Sequence, residues 1–285
     1  MLAEVGEDGT SAEDENVSLL SWEFHDLLFH PRSREGRHDA PLGPTGRFLG
    51  RLEPPPAVKP AAATETIELY RPDLERIEKD DPPLARVMEQ RRSIRRYAAE
   101  PITREQLGEF LYRTARVRAR WSDEFETPNG VARIELTSRP HPSGGALYAL
   151  EIYPVVQACR DLAPGLYHYD PAGHRLERLS GMTAEVVQLL GLAGRAVGIP
   201  AGTIQVLLIF AARFQRVAWK YERQAYAIIL KDVGVLIQNM YLAATAMGLG
   251  PCAVGVGDAD VFARAIGSNY YEETSVGEFL LGSTR

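Results

Sequence analysis

The hydrophobic pattern of the chain predicts both strands and helices, without a regular alternation of the two. The continuous apolar run 203–214 (TIQVLLIFAARF) has the length of a strand and predicts a central strand covered on both faces. Two alternating runs within 165–179 (GLYHYDPAGHRLERL) predict a β-hairpin, with His168 and His174 facing solvent beside its turn. A last strand is expected at 276–282. This mixture of elements predicts an α+β fold.

Capping signals predict where the first helices of the main body begin. Thr103 and Gln106 form a Thr-x-x-Gln capping box, which predicts a helix start at Thr103. Its expected buried stripe is Leu107, Phe110, Leu111 and Ala115. An earlier helix is expected to be capped by Asp81, with two prolines in its first turn. Residues 118–144 are polar and are expected to be irregular.

Three further helices are predicted at 183–192, at about 216–229 and at 232–247. The last of these has almost no polar face, and a helix that is apolar all round must be enclosed. It is therefore either a central core helix or one half of an obligate dimer interface. Gly248 and Gly250 are expected to close it.

The first 65 residues have a different character from the rest. After an acidic start that is expected to be disordered, a short helix at 18–29 and a Pro-rich linker at 54–60 predict an extended arm. Its apolar side chains are expected to pack on the main body or on a partner subunit; they are Trp22, Phe24, Leu27, Leu28, Phe29, Phe48 and Leu49. Residues 1–65 are thus interpreted as an N-terminal arm and linker, and residues 66–285 as one domain.

Composition narrows the classes of function. The net charge of −6 argues against a broad basic surface for nucleic acid or anionic membranes. The N-terminus lacks the features of a secretory signal, and no span was expected to reach the roughly 18 apolar residues of a membrane helix. Cys159 and Cys252 form no CxxC motif, so neither a metal site nor a disulfide is expected. The predicted location is the cytoplasm.

The stretch RRSIRRY (91–97) concentrates four arginines in an acidic chain. A basic run is most often a solvated helix end. Here two or three guanidiniums surround a hydroxyl. This arrangement suits a phosphate dianion, because each arginine can donate two hydrogen bonds to the phosphate and stays charged.

Two glycine-containing stretches are the other candidates for chemistry. HPSGGALY (141–148) lets backbone approach a flat ligand closely, and GLGPCAVGVGD (248–258) exposes backbone N–H groups that can bind a phosphate or a heterocycle. His141 is a minor catalytic candidate beside the first stretch. No GxGxxG fingerprint is present, so a Rossmann domain is unsupported.

In this order and spacing, the three stretches resemble the nitroreductase-like flavoproteins. The combination comprises Arg-x-Ser-x-Arg, then Pro-Ser-Gly-Gly, then Gly-Leu-Gly-x-Cys-x-x-Gly after a long apolar helix. The resemblance covers 81–282. It implies the nitroreductase-like fold, a central mixed or antiparallel sheet flanked by helices, here with an extended N-terminal arm.

Within this superfamily the chain looks like the SagB-type azoline dehydrogenases, which make thiazoles and oxazoles in ribosomal peptides. PSGGALYALEIY is typical of that branch, as are the arm and the pair Lys220-Tyr221 in WKYERQAY. Azoline oxidation removes a hydride and a proton, so it needs a base; lysine can serve if burial lowers its pKa, whereas arginine cannot. Consecutive helical residues point about 100° apart, so only one of the pair is expected to reach substrate directly. The sequence leaves open which one is the base.

The resemblance implies a complete set of site residues around FMN. The implied ligands of the FMN phosphate and ribityl end are Arg91, Arg92, Ser93 and Arg95. The implied neighbours of the flavin ring are Pro142, Ser143, Gly144 and Gly145, with Gly250, Pro251 and Cys252 near its other side. It also implies an azoline-containing peptide substrate, O2 as the oxidant of the flavin, a homodimer and a cyclodehydratase partner.

Two alternative functions remain at this point. One is an NAD(P)H-dependent FMN reductase of nitro, quinone or enone compounds. The other is a flavin-free scaffold that recruits a leader peptide to a cyclodehydratase through the aromatic-rich arm.

Overall fold

The computed structural model describes residue 9 and residues 16–41, 43–61 and 63–284. The helices are α1 Phe24–Arg32, α2 Leu74–Asp80, α3 Leu84–Gln90, α4 Arg104–Ala115, α5 Ala184–Val197, α6 Phe214–Ala218, α7 Ala225–Ala246 and α8 Ala259–Ile266. The strands are β1 Thr66–Glu68, β2 Ala119–Thr127, β3 Gly130–Ser138, β4 Leu150–Val156, β5 Gly165–Asp170, β6 Arg175–Ser180, β7 Val206–Arg213, β8 Leu249–Val254 and β9 Glu273–Ser283. The disorder expected at the start of the chain concerns residues outside these described ranges.

Seven of the strands form one sheet in the order β1-β6-β5-β4-β7-β9-β8, and every neighbouring pair is antiparallel. The predicted central strand is confirmed, because β7 is paired on both sides and buried along its whole length. The hairpin β5–β6 and the last strand β9 are confirmed as well. The α+β fold with a central antiparallel sheet is therefore the one predicted.

Alternate residues of β7 supply two separate apolar cores, one on each face of the sheet. Leu208 and Phe210 belong to the core that contains α4 and α7, whereas Leu207 and Ile209 belong to the core that contains α5 and α8. Each fully buried side chain of this size contributes about 1.5–3 kcal/mol relative to an exposed one. A strand buried on both faces therefore reads as a continuous apolar run.

Caps explain where several helices begin and end. The capping box of Thr103 and Gln106 is present at the start of α4, and all four predicted stripe residues are buried. The role predicted for Asp81 is wrong, because Asp81 follows the end of α2, a helix whose N-terminus is capped by Asp73. α3 then begins after Pro83.

Residues 118–144 contain the hairpin β2–β3 instead of the irregular segment that was expected. Most of β2 is exposed, so its sequence lacks the apolar alternation that would predict a strand. β3 is half-buried through Ala132, Ile134 and Leu136.

The two helices predicted at 216–229 and 232–247 have other boundaries in the structure. α6 ends at Ala218, and one long helix, α7, starts at Ala225. Between them, Tyr221 forms an antiparallel bridge with Pro44 of the arm. A backbone paired with a distant segment cannot continue the helical ladder. The helix predicted at 183–192 is confirmed and extends to Val197, where Gly198 ends it in a left-handed conformation.

The long helix α7 is the apolar helix of the sequence pattern. Its 22 residues are long and apolar enough to cross a membrane by length and composition, contrary to the expectation that no such span exists. A core helix meets the same criteria, and α7 packs on α4, α6 and β8. One side of α7 is therefore part of the core, as the first alternative predicted. On the other side, Tyr226 and Leu230 are exposed.

The arm contains α1 but packs only in part. Phe48 and Leu49 lie against the main core, and the Phe29 ring meets Tyr226 edge-on with centroids 5.9 Å apart. Trp22, Phe24 and Leu28 are exposed and Leu27 is half-buried, so the first three do not pack on the main body of their own chain, and their packing on a partner subunit stays a prediction. The short helix begins at Phe24 instead of residue 18.

Candidate functional site

The Ser143–Gly145 segment is fixed to helix α7 by one carboxylate. Asp232 accepts a hydrogen bond of 2.6 Å from the Ser143 hydroxyl and one of 3.1 Å from the Gly144 N–H. Ser143 Oγ in turn accepts from the Tyr148 N–H at 3.0 Å. Burial raises the pKa of Asp232, and these two donors oppose that rise. The turn is thus held in one geometry by groups on α7 and in its own loop.

Gly145 faces the side chains of both Lys220 and Tyr221. Its φ is 64°, and a Cβ built on it would lie 2.5 Å from Tyr221 Oη and 3.3 Å from Lys220 Nζ. The absence of a side chain at Gly145 is therefore required on both conformational and steric grounds. The helical placement expected for the pair is wrong, because the two residues follow α6 in a turn, and both side chains face Gly145.

Lys220 is placed where its amine is partly desolvated. Nζ lies 4.8 Å from the centre of the Phe125 ring, which belongs to β2. Burial lowers the pKa of Lys220, with Asp123 opposing and Arg216 adding to the effect. Burial also raises the pKa of Tyr221, so its phenol stays protonated at neutral pH. A lysine with a lowered pKa beside a neutral phenol can accept a proton and donate a hydrogen bond.

The arginine cluster lies between α3 and α4, in the extended segment 91–98. Ser93 Oγ is hydrogen-bonded to Tyr241 Oη at 2.7 Å, and the Arg91 guanidinium lies 5.2 Å from the centre of the Tyr241 ring. Tyr241 Oη also accepts from the Ala253 N–H at 2.8 Å. α7 and β8 therefore set the position of the cluster.

Two adjoining cavities open onto these arginines. One, of about 590 Å³, is lined by Glu89, Gln90, Arg91, Arg92, Ile94, Thr245, Gly248, Leu249, Pro251 and Thr284. The other, of about 410 Å³, is lined by Arg92, Ser93, Ile94, Arg95, Arg96 and Thr284. Within the described ranges, Arg91, Arg92, Arg95 and Arg96 form no ion pair with a carboxylate. This donor set fits a phosphate dianion.

Gly250, Pro251 and Cys252 lie on strand β8, which corrects the expectation of a loop throughout 248–258. Pro251 lines the larger cavity, and its carbonyl accepts from the Ile94 N–H at 2.7 Å. Burial raises the pKa of the Cys252 thiol, while Arg95 and Ser93 oppose this shift. The strand β8 thus binds the arginine segment through the backbone of Pro251.

The two parts of the predicted site are anchored at different positions on α7. Asp232 anchors the Ser143 segment and Tyr241 anchors Ser93, and both belong to α7. Nine helical residues correspond to a rise of about 13 Å and a rotation that places the two on opposite sides of the helix. Lys220 and Tyr221 lie with the Ser143 part.

The histidines are structural in this fold. His168 and His174 are buried, so the prediction that they face solvent is wrong. His168 lies between Glu177 (2.9 Å) and Glu151 (3.1 Å); burial would lower its pKa, but the two carboxylates raise it. His141 Nδ1–H donates to the Thr114 carbonyl at 3.0 Å, and burial lowers its pKa to about 4, so it is neutral at pH 7.

Sequence reasoning missed Asp232 and Tyr241 as site residues. Asp232 was interpreted as the start of a helix, whereas it lies within α7 and binds the Ser143 turn. An acidic residue inside an otherwise apolar helix is the signal that would have marked it, since buried carboxylates need partners. Tyr241 gave no comparable signal.

The sequence of the chain matches the model of the nitroreductase family over residues 88–282, and the chain belongs to that family. A second model, cyanobactin oxidase ThcOx, matches residues 1–39. These matches confirm the fold expected from the motifs.

Individual relatives agree with the resemblance to the nitroreductase-like superfamily and with the resemblance to its peptide-processing branch. The nitroreductase-like protein MJ1384 of Methanocaldococcus jannaschii is 32% identical over 67% of this chain and 85% of its own length. The microcin B17-processing protein McbC of Escherichia coli is 29% identical, and the match covers 39% of this chain and 42% of McbC. The fold is also that of a chain in the E. coli microcin synthetase McbBCD complex with truncated pro-MccB17 bound, with a TM-score of 0.55, 17% identity and 91% of each chain covered.

Proposed function

We propose that the protein is an FMN-dependent dehydrogenase that oxidises thiazoline or oxazoline rings of a ribosomally made peptide to thiazoles or oxazoles. The observation that carries this proposal is the convergence of the Lys220 amine and the Tyr221 hydroxyl on Gly145. A reductase that only transfers hydride does not need a partly desolvated lysine at this place, whereas azole formation needs a base. The similarity to McbC, a peptide-processing protein, supports the same substrate class.

The residues fit FMN as the cofactor. The FMN phosphate would be held by Arg91, Arg92, Ser93 and Arg95. The three arginines lack carboxylate partners in the described ranges, and all four residues border a cavity. Pro142–Gly145 would lie along the flavin ring, and Gly250–Cys252 would support the phosphate segment from β8. When bound, FMN supplies the acceptor for the hydride that leaves the azoline ring.

The proton that leaves the azoline ring is accepted by a residue of this chain. Neutral Lys220 takes the proton from the ring carbon next to the one that loses hydride, so an azoline loses two hydrogens and becomes an azole. The Tyr221 phenol, which stays protonated, donates a hydrogen bond to the ring heteroatom and orients the substrate. The Phe125 ring lies over the amine and limits its contact with water.

The arrangement of the two halves of the site supports a homodimer. The Ser93 part and the Ser143 part are anchored on opposite sides of α7, as in a composite site to which each of two chains supplies one part. The exposed Tyr226 and Leu230 on α7 are available for such an interface. In each composite site, the phosphate cradle of one protomer faces the Lys220 pair of the other.

The expected partners are an azoline-containing peptide and the cyclodehydratase that makes it. This part rests on the fold shared with a chain of the McbBCD complex, whose structure includes a truncated peptide substrate precursor. The cytoplasm is the proposed location.

One experiment separates this proposal from its rivals. The purified protein is mixed anaerobically with an azoline-containing peptide, and the flavin absorbance and the peptide mass are followed. Loss of two hydrogens from the peptide with matching bleaching of the flavin supports the dehydrogenase. The second candidate, an NAD(P)H-dependent reductase, is favoured by the similarity to MJ1384; bleaching by NADPH and not by the azoline would establish it. Protein that is colourless and does not take up FMN would indicate the scaffold.

A further inference from the structure

The N-terminal arm is bonded to the chain segment that carries Lys220 and Tyr221. The Thr45 N–H donates to the Lys220 carbonyl at 3.2 Å, and Pro44 forms an antiparallel bridge with Tyr221. Arg47 forms an ion pair with Glu222 at 3.8 Å. Two consecutive arm residues therefore pair with the two consecutive residues of the catalytic pair.

Both flanks of the pair are also tied to the arm. On one side, Trp219 Nε1 donates to the Leu52 carbonyl at 2.7 Å, and Arg216 Nη1 donates to the Pro55 carbonyl at 2.8 Å. Arg216 is fully buried, so these bonds are shielded from water.

On the other side, Arg223 is enclosed by the arm. Its guanidinium hydrogen-bonds the His38 ring at 2.8 Å and forms an ion pair with Glu35. The side chain of Arg223 is only 4% exposed, although it follows the pair in a turn.

The hairpin β2–β3 holds the arm from outside. Asn129 Nδ2 donates to the Thr45 carbonyl at 3.0 Å, and a Cβ on Gly46 would lie 2.3 Å from Thr127 Oγ1. The same hairpin supplies Phe125, whose ring covers the Lys220 amine. Arm, hairpin and catalytic pair thus form one packed unit.

The segment 219–224 lies between α6 and α7 and has no ladder of its own. A connection of this kind samples several conformations unless other groups bind its backbone. The N–H groups of residues 219–221 donate locally to the carbonyls of Gln215 and Val217, and the long-range bonds of the segment come from arm residues more than 160 positions earlier in the chain.

We propose that the arm residues 35–41 and 43–55 form a positioning element for the catalytic pair: their pairing with residues 216–223 holds the Lys220 amine and the Tyr221 hydroxyl against Gly145. The catalytic role of the pair rests on the proposed function, whereas the positioning itself does not. Release of the arm would let the Lys220 side chain move into water. The charged groups that face this amine are Asp123 on β2 and Arg216 on α6, and neither belongs to the arm.

The chain allows a direct test because it has only four lysines, Lys59, Lys79, Lys220 and Lys231. Trace acetylation of the full-length, FMN-loaded protein across a pH series, read by mass spectrometry, gives the titration of each amine, with exposed Lys79 as the internal reference. The variant Thr45→Pro removes the N–H that donates to Lys220. Thr45→Val is the matched control, because it keeps that N–H and removes only a buried hydroxyl that has no partner in the described structure.

The proposal predicts that Thr45→Pro moves the titration of Lys220 to higher pH and lowers kcat for azoline oxidation about tenfold, with FMN content unchanged. Thr45→Val should match the wild type within about twofold. An unchanged Lys220 titration in folded Thr45→Pro would overturn the proposal.

A second variant covers the case in which Thr45→Pro does not fold. The double variant Glu35→Gln/His38→Ala releases Arg223 from the exposed side of the arm. Loss of the Glu35 charge alone would lower the pKa of a nearby lysine, whereas release of the arm would raise the pKa of Lys220. The sign of the pKa shift therefore distinguishes the charge effect from release of the arm. A downward shift or none would contradict the positioning role. If the wild type does not oxidise azolines but the labelling shifts appear, only the proposed function has failed.

Discussion

The carboxylate of Asp232 accepts a hydrogen bond of 2.6 Å from the Ser143 hydroxyl, so a residue of the longest described helix fixes the turn that faces Lys220 and Tyr221. Nine residues later, on the other side of the same helix, Tyr241 binds Ser93 of the arginine segment. α7 therefore separates and orients the two halves of the proposed flavin site. This arrangement supports the proposed dimer.

Arg92→Ala should weaken FMN binding about 10- to 100-fold, because a charge-assisted hydrogen bond to phosphate is worth about 1.5–3 kcal/mol. Arg92 borders both cavities of the arginine cluster. The measurement is a titration of apoprotein with FMN, followed by flavin fluorescence. Arg86→Ala on α3 is the control, since it removes the same charge outside both cavities. Equal affinities of the two variants would remove the phosphate assignment.

Lys220→Arg should leave the protein yellow and slow azole formation by about 10²- to 10⁴-fold, because arginine keeps the charge but cannot accept a proton. In the wild type, burial lowers the pKa of Lys220, so kcat/KM should rise with pH and level off below the ordinary lysine pKa of 10.5. Single-turnover kinetics over a pH series measure both effects. Wild-type turnover in Lys220→Arg would show that Lys220 is not the base.

Gly145→Ala should disturb the catalytic pair without removing the flavin. The new Cβ would lie 2.5 Å from Tyr221 Oη, and its φ of 64° costs an L-residue about 1 kcal/mol or more. Turnover should fall at least about tenfold, since small displacements of catalytic groups are costly. Gly181→Ala is the control, because a Cβ there meets nothing within 4 Å. Similar kcat values for the two variants would contradict the convergence at Gly145.

Glu278 predicts a pH dependence of stability that is separate from the site. Burial and the nearby charge of Asp258 raise its pKa to about 7, and its Oε2 is buried without a partner in the described structure. Because the folded state binds more protons than the unfolded state between about pH 4.5 and 7, stability should fall as pH rises through this window and stay low above it.

Glu278→Gln removes this titration. The variant should be as stable as the wild type near pH 4 and more stable by on the order of 3 kcal/mol at pH 8. Urea unfolding at the two pH values measures the difference. A stability difference that does not grow with pH would show that Glu278 is ionised in the folded protein throughout this range.

The sequence was sufficient for the elements whose patterns reflect burial directly. β7 is covered on both faces and shows a continuous apolar run, and the Thr103–Gln106 capping box is a local interaction. The hairpin β2–β3 could not be predicted in the same way, since most of β2 is exposed and its pairing depends on β3.

The sequence motifs marked the residues of the proposed site, but they did not reveal how those residues are arranged. Motifs indicated Ser143–Gly145 and the pair Lys220-Tyr221, yet the pair was assigned to a helix because nothing local reveals its pairing with Pro44 and Thr45. Likewise, the position beside a turn suggested that His168 was exposed, whereas it is buried between Glu177 on the paired strand and Glu151 on β4. Long-range partners of this kind are absent from any local pattern.

The most direct test of the account is an anaerobic single turnover of the purified, FMN-loaded protein with an azoline-containing peptide. The account predicts that the peptide loses two hydrogens while the flavin is bleached in equal amount, and that Lys220→Arg binds the same flavin but reacts far more slowly. Flavin that stays oxidised in the presence of the azoline, or equal rates for the two proteins, would contradict it.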